Sequence, residues 1–461
     1  MTFDRYLSNL QGKRIGIIGA GVSNVPLINT LLDAGCDVTV CDMQSETEMG
    51  DLPERLSEKG AKLHSGAGYL DHLDFDVIFR TPGLHPFTAQ LAQAKERGAR
   101  LTSEMEAFFE LCPCKTVAVT GSDGKTTTTT IISELLKAQG YTVHLGGNIG
   151  TPLFTRLPEI KETDFAVLEL SSFQLHSMQC SPDIAVITNI SPNHLDVHPD
   201  MRDYVDAKKM IYRNQKSGAR LVLNADDRYT KELLADAGDR EIMLFSRRHG
   251  VDQGAFMEGG VLRLTGKEET KDVVRAEDIR IPGLHNVENY LAAFAATDGL
   301  VSPENCAAVA KDFGGVSHRL ELVRELRGVK YYNDSIASSP SRTIAGLRSF
   351  EKKPILIAGG KDKGVSFDEL GEEIVTKVKV LFLTGLTART IEAAVKKAPG
   401  YDESVLPVYV IEEFADTIKA AHEYAAEGDV VLLSPACTSF DRFKNFAERG
   451  DTFRSIVSEL L

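Results

Sequence analysis

Short apolar runs rich in β-branched residues alternate, almost throughout the chain, with stretches whose apolar positions recur at helical spacing. Strands buried on both faces lose their polar positions, whereas the helices covering them keep one wet face, so the alternation predicts an α/β protein with parallel sheets. A first block, residues 1–110, has expected strands at 14–19, 37–42 and 75–80 and a helix over about 25–34, and reads as Rossmann-like. The second, residues 111–316, opens with a strand at 116–120. A helix bearing Ile131, Ile132, Leu135 and Leu136 at helical spacing follows, then strands at 165–170, 183–189 and 220–224. Between 240 and 282 the texture changes to short alternating strands and Gly turns, a β-rich extension of the central block, before a helix near His285. The third block, residues 317–461, repeats the α/β pattern with strands at 354–360, 378–384 and 429–433 and is again Rossmann-like.

Composition narrows the function classes. A length of 461 residues suits three domains at about 100–200 residues each. Lys and Arg total 52 against 66 Asp and Glu, a net charge of −14, and no basic run offsets it, so nucleic acid is not an expected partner. Anionic ligands must instead be held locally, by glycine loops, helix N-termini or single cations. No leader-like segment and no apolar run of about 18 residues is present, which points to a cytoplasmic protein with no membrane partner. We expect a monomer. Seven cysteines in so long a chain argue for free thiols, including Cys112 and Cys114, whose spacing lacks a zinc-site partner pair.

The sharpest local signal is Val119-Thr-Gly-Ser-Asp-Gly-Lys-Thr126, placed between a strand and a helix. Glycines let backbone N–H groups turn onto phosphate oxygens, Lys125 can reach the β- and γ-phosphates, and the Thr126 hydroxyl can take Mg²⁺. The loop is a shorter variant of the usual phosphate-binding loop, because Val119 stands where a glycine would, and ATP is its natural ligand. A second signal is Gly19-Ala-Gly21 after the first strand, with Asp42 at the end of the second positioned for a ribose hydroxyl. Asn24 replaces the third glycine, leaving a sugar nucleotide, NAD or an empty structural turn all open. Thr81-Pro82-Gly83 follows the strand at 75–80 and could complete such a pocket or be only a turn. Glu169 and His194 lie just after strands of the sheet that carries Lys125, where Mg²⁺ ligands belong, although capping and loop roles also fit. Ser171 lies in no nucleophile elbow and suits a hydrogen-bonding role.

The ordered motifs TGSDGKTT, GGNIG, LELSSFQL, TNISPNHLD, DAKKMIY, LNADD, GLHN, HRLE, YYNDS, AGGKDK and LLSPACTSFDRFKNFAERG resemble the Mur ligases, and the last is similar to the branch that adds D-glutamate. The resemblance implies three domains, for a UDP substrate, for ATP and for the incoming amino acid. It implies that Gly121, Ser122, Asp123, Gly124, Lys125, Thr126 and Thr127, with Asn286, Asn289, Arg319 and Asp334, serve ATP. Gly19, Gly21, Val22, Ser23, Asp42, Pro82, Gly83, Asn148, Ser171 and Gln174 would serve the UDP substrate. Lys363, Ser439 and Phe446 would serve D-glutamate. Thr126, Glu169, His194 and Lys208, the last as a CO₂-derived carbamate, would hold two Mg²⁺ ions, with Lys125, Glu169, His194 and Lys208 the catalytic set. Adjacent Lys209 leaves the register of the carbamate lysine open. Where the family commonly has Asn-Asp-Ser-Lys, Ile336 follows Ser335, and Lys363 or Arg342 would have to supply that charge.

The implied reaction joins D-glutamate to UDP-N-acetylmuramoyl-L-alanine through an acyl phosphate. Rivals are a ligase of the same group using another amino acid, a folylpolyglutamate synthase, an NAD-dependent oxidoreductase built on Gly19 and Gly21, and a non-catalytic ATP switch.

Overall fold

The computed structural model describes residues 1–461 apart from 22, 195–196, 267–268 and 363–364, so the expectations for Val22 and Lys363 lie outside the described residues. Its backbone contacts divide into two compact units, Met1–Ala276 with Val287–Val309, and Glu277–Asn286 with Ala310–Leu461. No helix among the described residues is long and apolar enough to cross a membrane.

The first unit holds two sheets. One is formed by β1 (Arg14–Ile18), β2 (Asp37–Asp42), β3 (Lys62–Ser65), β4 (Val77–Phe79) and β5 (Arg100–Thr102), all parallel in the order β3-β2-β1-β4-β5. The chain crosses from one side of β1 to the other between β3 and β4, and the crevice at such a switch point is where open α/β sheets bind ligands. Ile15, Ile17, Val38, Val40 and Phe79 are buried and pack with the helix Asn24–Asp33 through Leu27, Ile28 and Leu31.

The second sheet has nine strands: β6 (Lys115–Thr120), β7 (Val143–Gly147), β8 (Phe165–Glu169), β9 (Ile184–Ile187), β10 (Arg220–Asn224), β11 (Glu241–Ser246), β12 (Gly254–Glu258), β13 (Val261–Thr265) and β14 (Thr270–Arg275). Their order is β14-β13-β12-β11-β10-β9-β6-β8-β7, parallel from β7 across to β12 and antiparallel in the β12–β14 meander. The expected β-rich extension is therefore a continuation of the central sheet whose first strand, β11, is still parallel. Strand β6 lies between β8 and β9, with Val119 beside Glu169 and Thr120 beside Ile187. Residues following these three strands thus gather at one edge.

The second unit contains β15 (Glu321–Leu326), β16 (Val329–Asn333), β17 (Ile355–Ala358), β18 (Val380–Leu383), β19 (Val408–Val410) and β20 (Val430–Leu433), ordered β15-β16-β20-β17-β18-β19, with only β15 antiparallel. The expected strands at 37–42 and 220–224 are found as such, the one at 116–120 starts a residue earlier, and others shorten. The one placed at 183–189 ends at Ile187, because Thr188 and Asn189 turn to hold the loop after β6, and the one at 75–80 shrinks to Val77–Phe79. Asp76 leaves that strand to accept from the Arg14 backbone, and Arg80 turns its guanidinium onto the carbonyls of Thr81 and Leu84.

Candidate active site

At the carboxyl edge of the central sheet, residues 121–124 leave β6 and lead into the helix Lys125–Ala138. Two glycines have steric reasons. A methyl at Gly121 would lie 1.9 Å from Thr188 Oγ1, and one at Gly124, φ +76°, would lie 2.3 Å from Asn289 Oδ1. Larger residues would force the loop off its supports. Those supports come from the segment after β9: Ser122 N donates to Asn189 O (2.9 Å), Asp123 N donates to Asn189 Oδ1 (2.9 Å), and Thr188 Oγ1 donates to Asp123 O (2.6 Å). Ser122 Oγ donates to Ser191 O (2.9 Å) and bonds Tyr204 OH (3.0 Å). The loop is pre-shaped, and the helix N-terminus behind it offers unsatisfied N–H groups and a positive dipole end. Lys125 Nζ donates to Ser122 O (3.0 Å), so its charge lies against the loop, and Thr126 and Thr127 are buried at the helix start. Asn289 accepts from Thr128 Oγ1 (3.2 Å), which brings one of the two expected asparagines to this loop. Asn286 donates to Pro282 O (2.6 Å) within the other unit.

Glu169 ends β8 and is almost wholly buried. Its Oε1 accepts from Asn148 Nδ2 (2.9 Å), while Oε2 has no hydrogen-bond partner among the described residues. A buried carboxylate oxygen with no donor is costly unless a cation completes it. His194 has a left-handed backbone, φ 55°, and its ring is 5.1 Å from that of Phe173. Lys208 lies on the buried face of the helix Met201–Arg213, over the Tyr204 ring at 4.4 Å, and Nζ donates to Gly121 O (2.7 Å). Burial, and then the charge of Lys125, push its pKa well below the usual lysine range, which favours the neutral amine. Lys209 instead reaches Glu232 Oε1 at 2.6 Å, which separates the roles of the two adjacent lysines. The buried Glu169 carboxylate and the threonine hydroxyl at the helix start are oxygen donors of the kind that suits Mg²⁺.

In the first sheet, the Gly19 turn after β1 and residues 81–83 after β4 sit side by side, with Thr81 Cβ 3.0 Å from where a Gly19 side chain would begin. Asp42 lies at this turn, but its oxygens already accept from Ala20 N (2.7 Å) and Gln44 N (2.8 Å). Ser23 precedes the helix without a side-chain cap bond. Arg80, almost fully buried, donates to Thr81 O (3.0 Å), Phe173 O (3.1 Å) and Ser177 Oγ (2.9 Å), tying residues 81–84 to the central sheet's flank. Ser171 caps the short helix Ser172–Leu175, its Oγ and Gln174 Oε1 closing a capping box.

In the second unit, fully buried Asp334 accepts from Leu320 N (3.3 Å) and Ser434 Oγ (2.7 Å), and burial raises its pKa to about 7 against the lowering effect of Ser434 and the Arg319 charge. Ser335 Oγ donates to Phe446 O (2.8 Å) and accepts from Arg449 Nε (2.9 Å). Ser439 is buried in the segment between β20 and the helix Phe446–Glu459, and Phe446 is exposed as that helix's first residue. Arg342 donates to Ile336 O (3.2 Å), at the position where a lysine was expected. Cys112 and Cys114 are free, with Sγ atoms 3.5 Å apart.

Several supporting residues escape motif reading. Tyr204 is separated by one helical turn from Lys208, and a lysine on the apolar face of that helix is the available signal. Arg80 and the group His85, His176 and Asp203 have no local spacing signature, since their partners are distant in sequence.

The strand, glycine loop and helix, on an interior strand of a mostly parallel sheet with lysine at the first helical position, define a nucleotide-binding α/β protein. Comparison with known proteins narrows this class. A model of the Mur ligase middle domain matches residues 119–297, and one of the Mur ligase, glutamate ligase domain matches residues 318–437. The chain is 49% identical to UDP-N-acetylmuramoylalanine--D-glutamate ligase of Clostridium novyi (100% of this chain, 99% of that protein). It is also 49% identical to the protein of the same name from Acetivibrio thermocellus (99% and 98%). Among solved structures, MurF from Acinetobacter baumannii matches with a TM-score of 0.59 at 18% identity over 100% of this chain and 93% of that one. MurC from Thermotoga maritima gives 0.57 at 19% over 97% and 99%, and these likenesses concern the fold. The chain belongs to the Mur ligase family.

Proposed function

We propose that this protein is an ATP-dependent ligase that joins the amine of D-glutamate to the L-alanine carboxylate of UDP-N-acetylmuramoyl-L-alanine, a step of peptidoglycan precursor synthesis in the cytoplasm. The observation that carries the reading is the pre-shaped 121–124 loop with Lys125 folded against it, beside the buried Glu169, whose Oε2 has no hydrogen-bond partner among the described residues. The substrate identity is supported by full-length similarity to ligases of that name. Residues 1–110 would take the UDP portion through Gly19, Gly21, Val22, Ser23, Asp42, Pro82 and Gly83, with Asn148, Ser171 and Gln174 contributing from the central block. Residues 111–316 would take ATP, and 317–461 the amino acid, through Lys363, Ser439 and Phe446.

A carboxylate resists an amine because it is anionic and has a poor leaving group. Transfer of the γ-phosphoryl group of ATP to the carboxylate gives an acyl phosphate and ADP. The D-glutamate amine then attacks the acyl carbon, and phosphate leaves through a tetrahedral intermediate. Lys125 and the helix N-terminus neutralise charge on the transferring group, the kind of positioned electrostatics that dominates phosphoryl transfer. Thr126, Glu169, His194 and Lys208 as its carbamate would hold two Mg²⁺ ions, which when bound supply Lewis acidity at the phosphates. The lowered pKa of Lys208 favours the neutral amine, the form that reacts with CO₂.

The test is phosphate release from ATP with UDP-N-acetylmuramoyl-L-alanine, comparing D-glutamate with L-glutamate, L-alanine and meso-diaminopimelate. Release with D-glutamate alone is expected, and release only with another amino acid would move the protein to a different member of the family. Arg342 and Lys363 are the proposed sources of the charge that Ile336 lacks. Arg342→Ala or Lys363→Ala should raise the D-glutamate KM, and an unchanged KM in both rejects that compensation.

A further inference from the structure

Beside the proposed nucleotide site, a second group of ligating side chains converges. The ligand atoms of His85, His176 and Asp203 lie within 4.8 Å of one another. His85 comes from the loop after β4, His176 from the end of the short helix Ser172–Leu175, and Asp203 from the first turn of the helix Met201–Arg213. We propose that these three residues form a binding site for a divalent transition-metal ion of the zinc class, separate from the magnesium site and serving to clamp the 81–87 loop against the central sheet's flank.

Three observations converge on a cation. His85 Nε2 is buried without a hydrogen-bond partner among the described residues, although it faces a pair, His176 Nε2 and Asp203 Oδ1, 3.0 Å apart. With Nδ1 accepting from Phe87 N, Nε2 carries the ring proton and meets no acceptor at hydrogen-bonding distance among the described residues, and moving that proton to Nδ1 frees the Nε2 lone pair for an ion. Asp203 is also held as metal-binding carboxylates are held. His198 Nδ1 bonds its other oxygen at 2.6 Å, and His198 Nε2 is fixed by Ser172 Oγ at 2.9 Å. This outer chain aims Oδ1 at the gap, and such buttressing typically governs affinity by 10–100-fold. Finally, the rings are already placed, with His85 and His176 centroids 5.0 Å apart and edge-on at 89°. Two imidazoles and one carboxylate leave a fourth position for water, the donor set of three-ligand zinc sites. Magnesium, which prefers oxygen ligands, is disfavoured by two nitrogens.

Binding is chemically balanced. The ion takes Nε2 of both histidines, whose remaining protons then reside on Nδ1. The cost is the long 3.3 Å bond from Phe87 N to His85 Nδ1 and the 3.0 Å contact between His176 and Asp203. The Phe87 amide is exposed and can turn to water.

Cobalt(II) is the probe, because its visible d–d bands report a nitrogen-containing, four- or five-coordinate site and not one made of oxygen alone. Chelator-treated full-length protein is titrated with Co²⁺ in excess Mg²⁺, and Zn²⁺ is then added. A band that saturates at one equivalent and is displaced by Zn²⁺ is expected. It should weaken about tenfold or more in affinity in His85→Ala and in His176→Gln, and persist in Glu169→Gln. Zn²⁺ should also raise the melting temperature of the wild type but not of His85→Ala. Identical titrations for wild type and His85→Ala, or loss of the band only in Glu169→Gln, overturns the proposal. Should His176→Gln fail to fold, His85→Ala decides alone, since His85 lies on a part-exposed loop outside every regular element.

Discussion

Two turns of the same design, in the same unit, are filled in opposite ways. After β1 the chain turns through Gly19 into the helix Asn24–Asp33, and after β6 it turns through Gly121 into the helix Lys125–Ala138. In the first, the turn's own neighbours plug it. Asn24 Nδ2 donates to Ile18 O (3.1 Å) and Gly19 O (2.9 Å), and Asp42 takes the Ala20 amide. In the second, Thr188, Asn189 and Ser191 brace the loop from the next strand, and the residue opening the helix is a lysine. The glycine pattern alone therefore does not make a triphosphate site. What decides is whether the first helical residues bring a cation or a hydrogen-bonding plug, and where the bracing comes from.

The largest effect should follow from removing the cation. Lys125→Ala is expected to cut phosphate release by at least about 10²–10³-fold, the scale of deleting one aimed charge or donor, while binding of the UDP substrate stays unchanged. Retained turnover would remove Lys125 from the mechanism. Next comes a paired test of the two turns. Gly121→Ala puts a methyl 1.9 Å from Thr188 Oγ1 at φ +150°, whereas Gly21→Ala meets nothing within 4 Å. Strain of about 1–3 kcal/mol in the first should appear as roughly 10- to 100-fold weaker ATP binding by calorimetry. The second should leave ATP binding unaltered. Equal effects would mean that the two turns are not built differently.

The sheet layers and the ATP loop were legible because their information is local: buried runs for strands, glycines and lysine for the loop. Residues such as β3, β5 and β15 strands escaped because short edge strands carry few buried positions; β15 is only partly buried along its length. The candidate site was legible to the extent that its residues end strands, as Glu169 does. It was illegible where function depends on pairing across long separations. Arg80 acts on Phe173 and Ser177, and Asp203 joins His176, contacts no spacing rule foretells. Asn24 shows a middle case, since its place at the missing third glycine was visible but its use as a plug was not.

That plug sets the third prediction. Asn24→Ala removes two side-chain bonds and leaves the carbonyls of Ile18 and Gly19 without them in a buried place. The expected cost is about 1–3 kcal/mol, seen as a fall in melting temperature of about 2–4 °C per kcal/mol for a domain of this size, with ATP affinity unaffected. An unchanged melting temperature would show that Asn24 is not what closes the turn.

The smallest effect tests whether Asp42 serves the turn or a ligand. Both of its oxygens accept backbone amides, from Ala20 and Gln44, yet each carboxylate oxygen retains a second lone pair that a ribose hydroxyl could use. Asp42→Asn keeps one acceptor oxygen and turns an NH₂ toward the other amide, costing about 1 kcal/mol of turn stability whichever role holds. The two roles part on binding. If the carboxylate also takes the ribose, uridine nucleotide affinity falls by roughly tenfold, one lost charge-assisted bond, whereas a purely structural Asp42 changes affinity by no more than the loosened turn. Calorimetry with UDP alone reads this directly. A fall in affinity larger than the loosened turn accounts for would make Asp42 a ligand residue, and the first turn would then differ from the second in which group it presents, a carboxylate to a sugar instead of a lysine to phosphate.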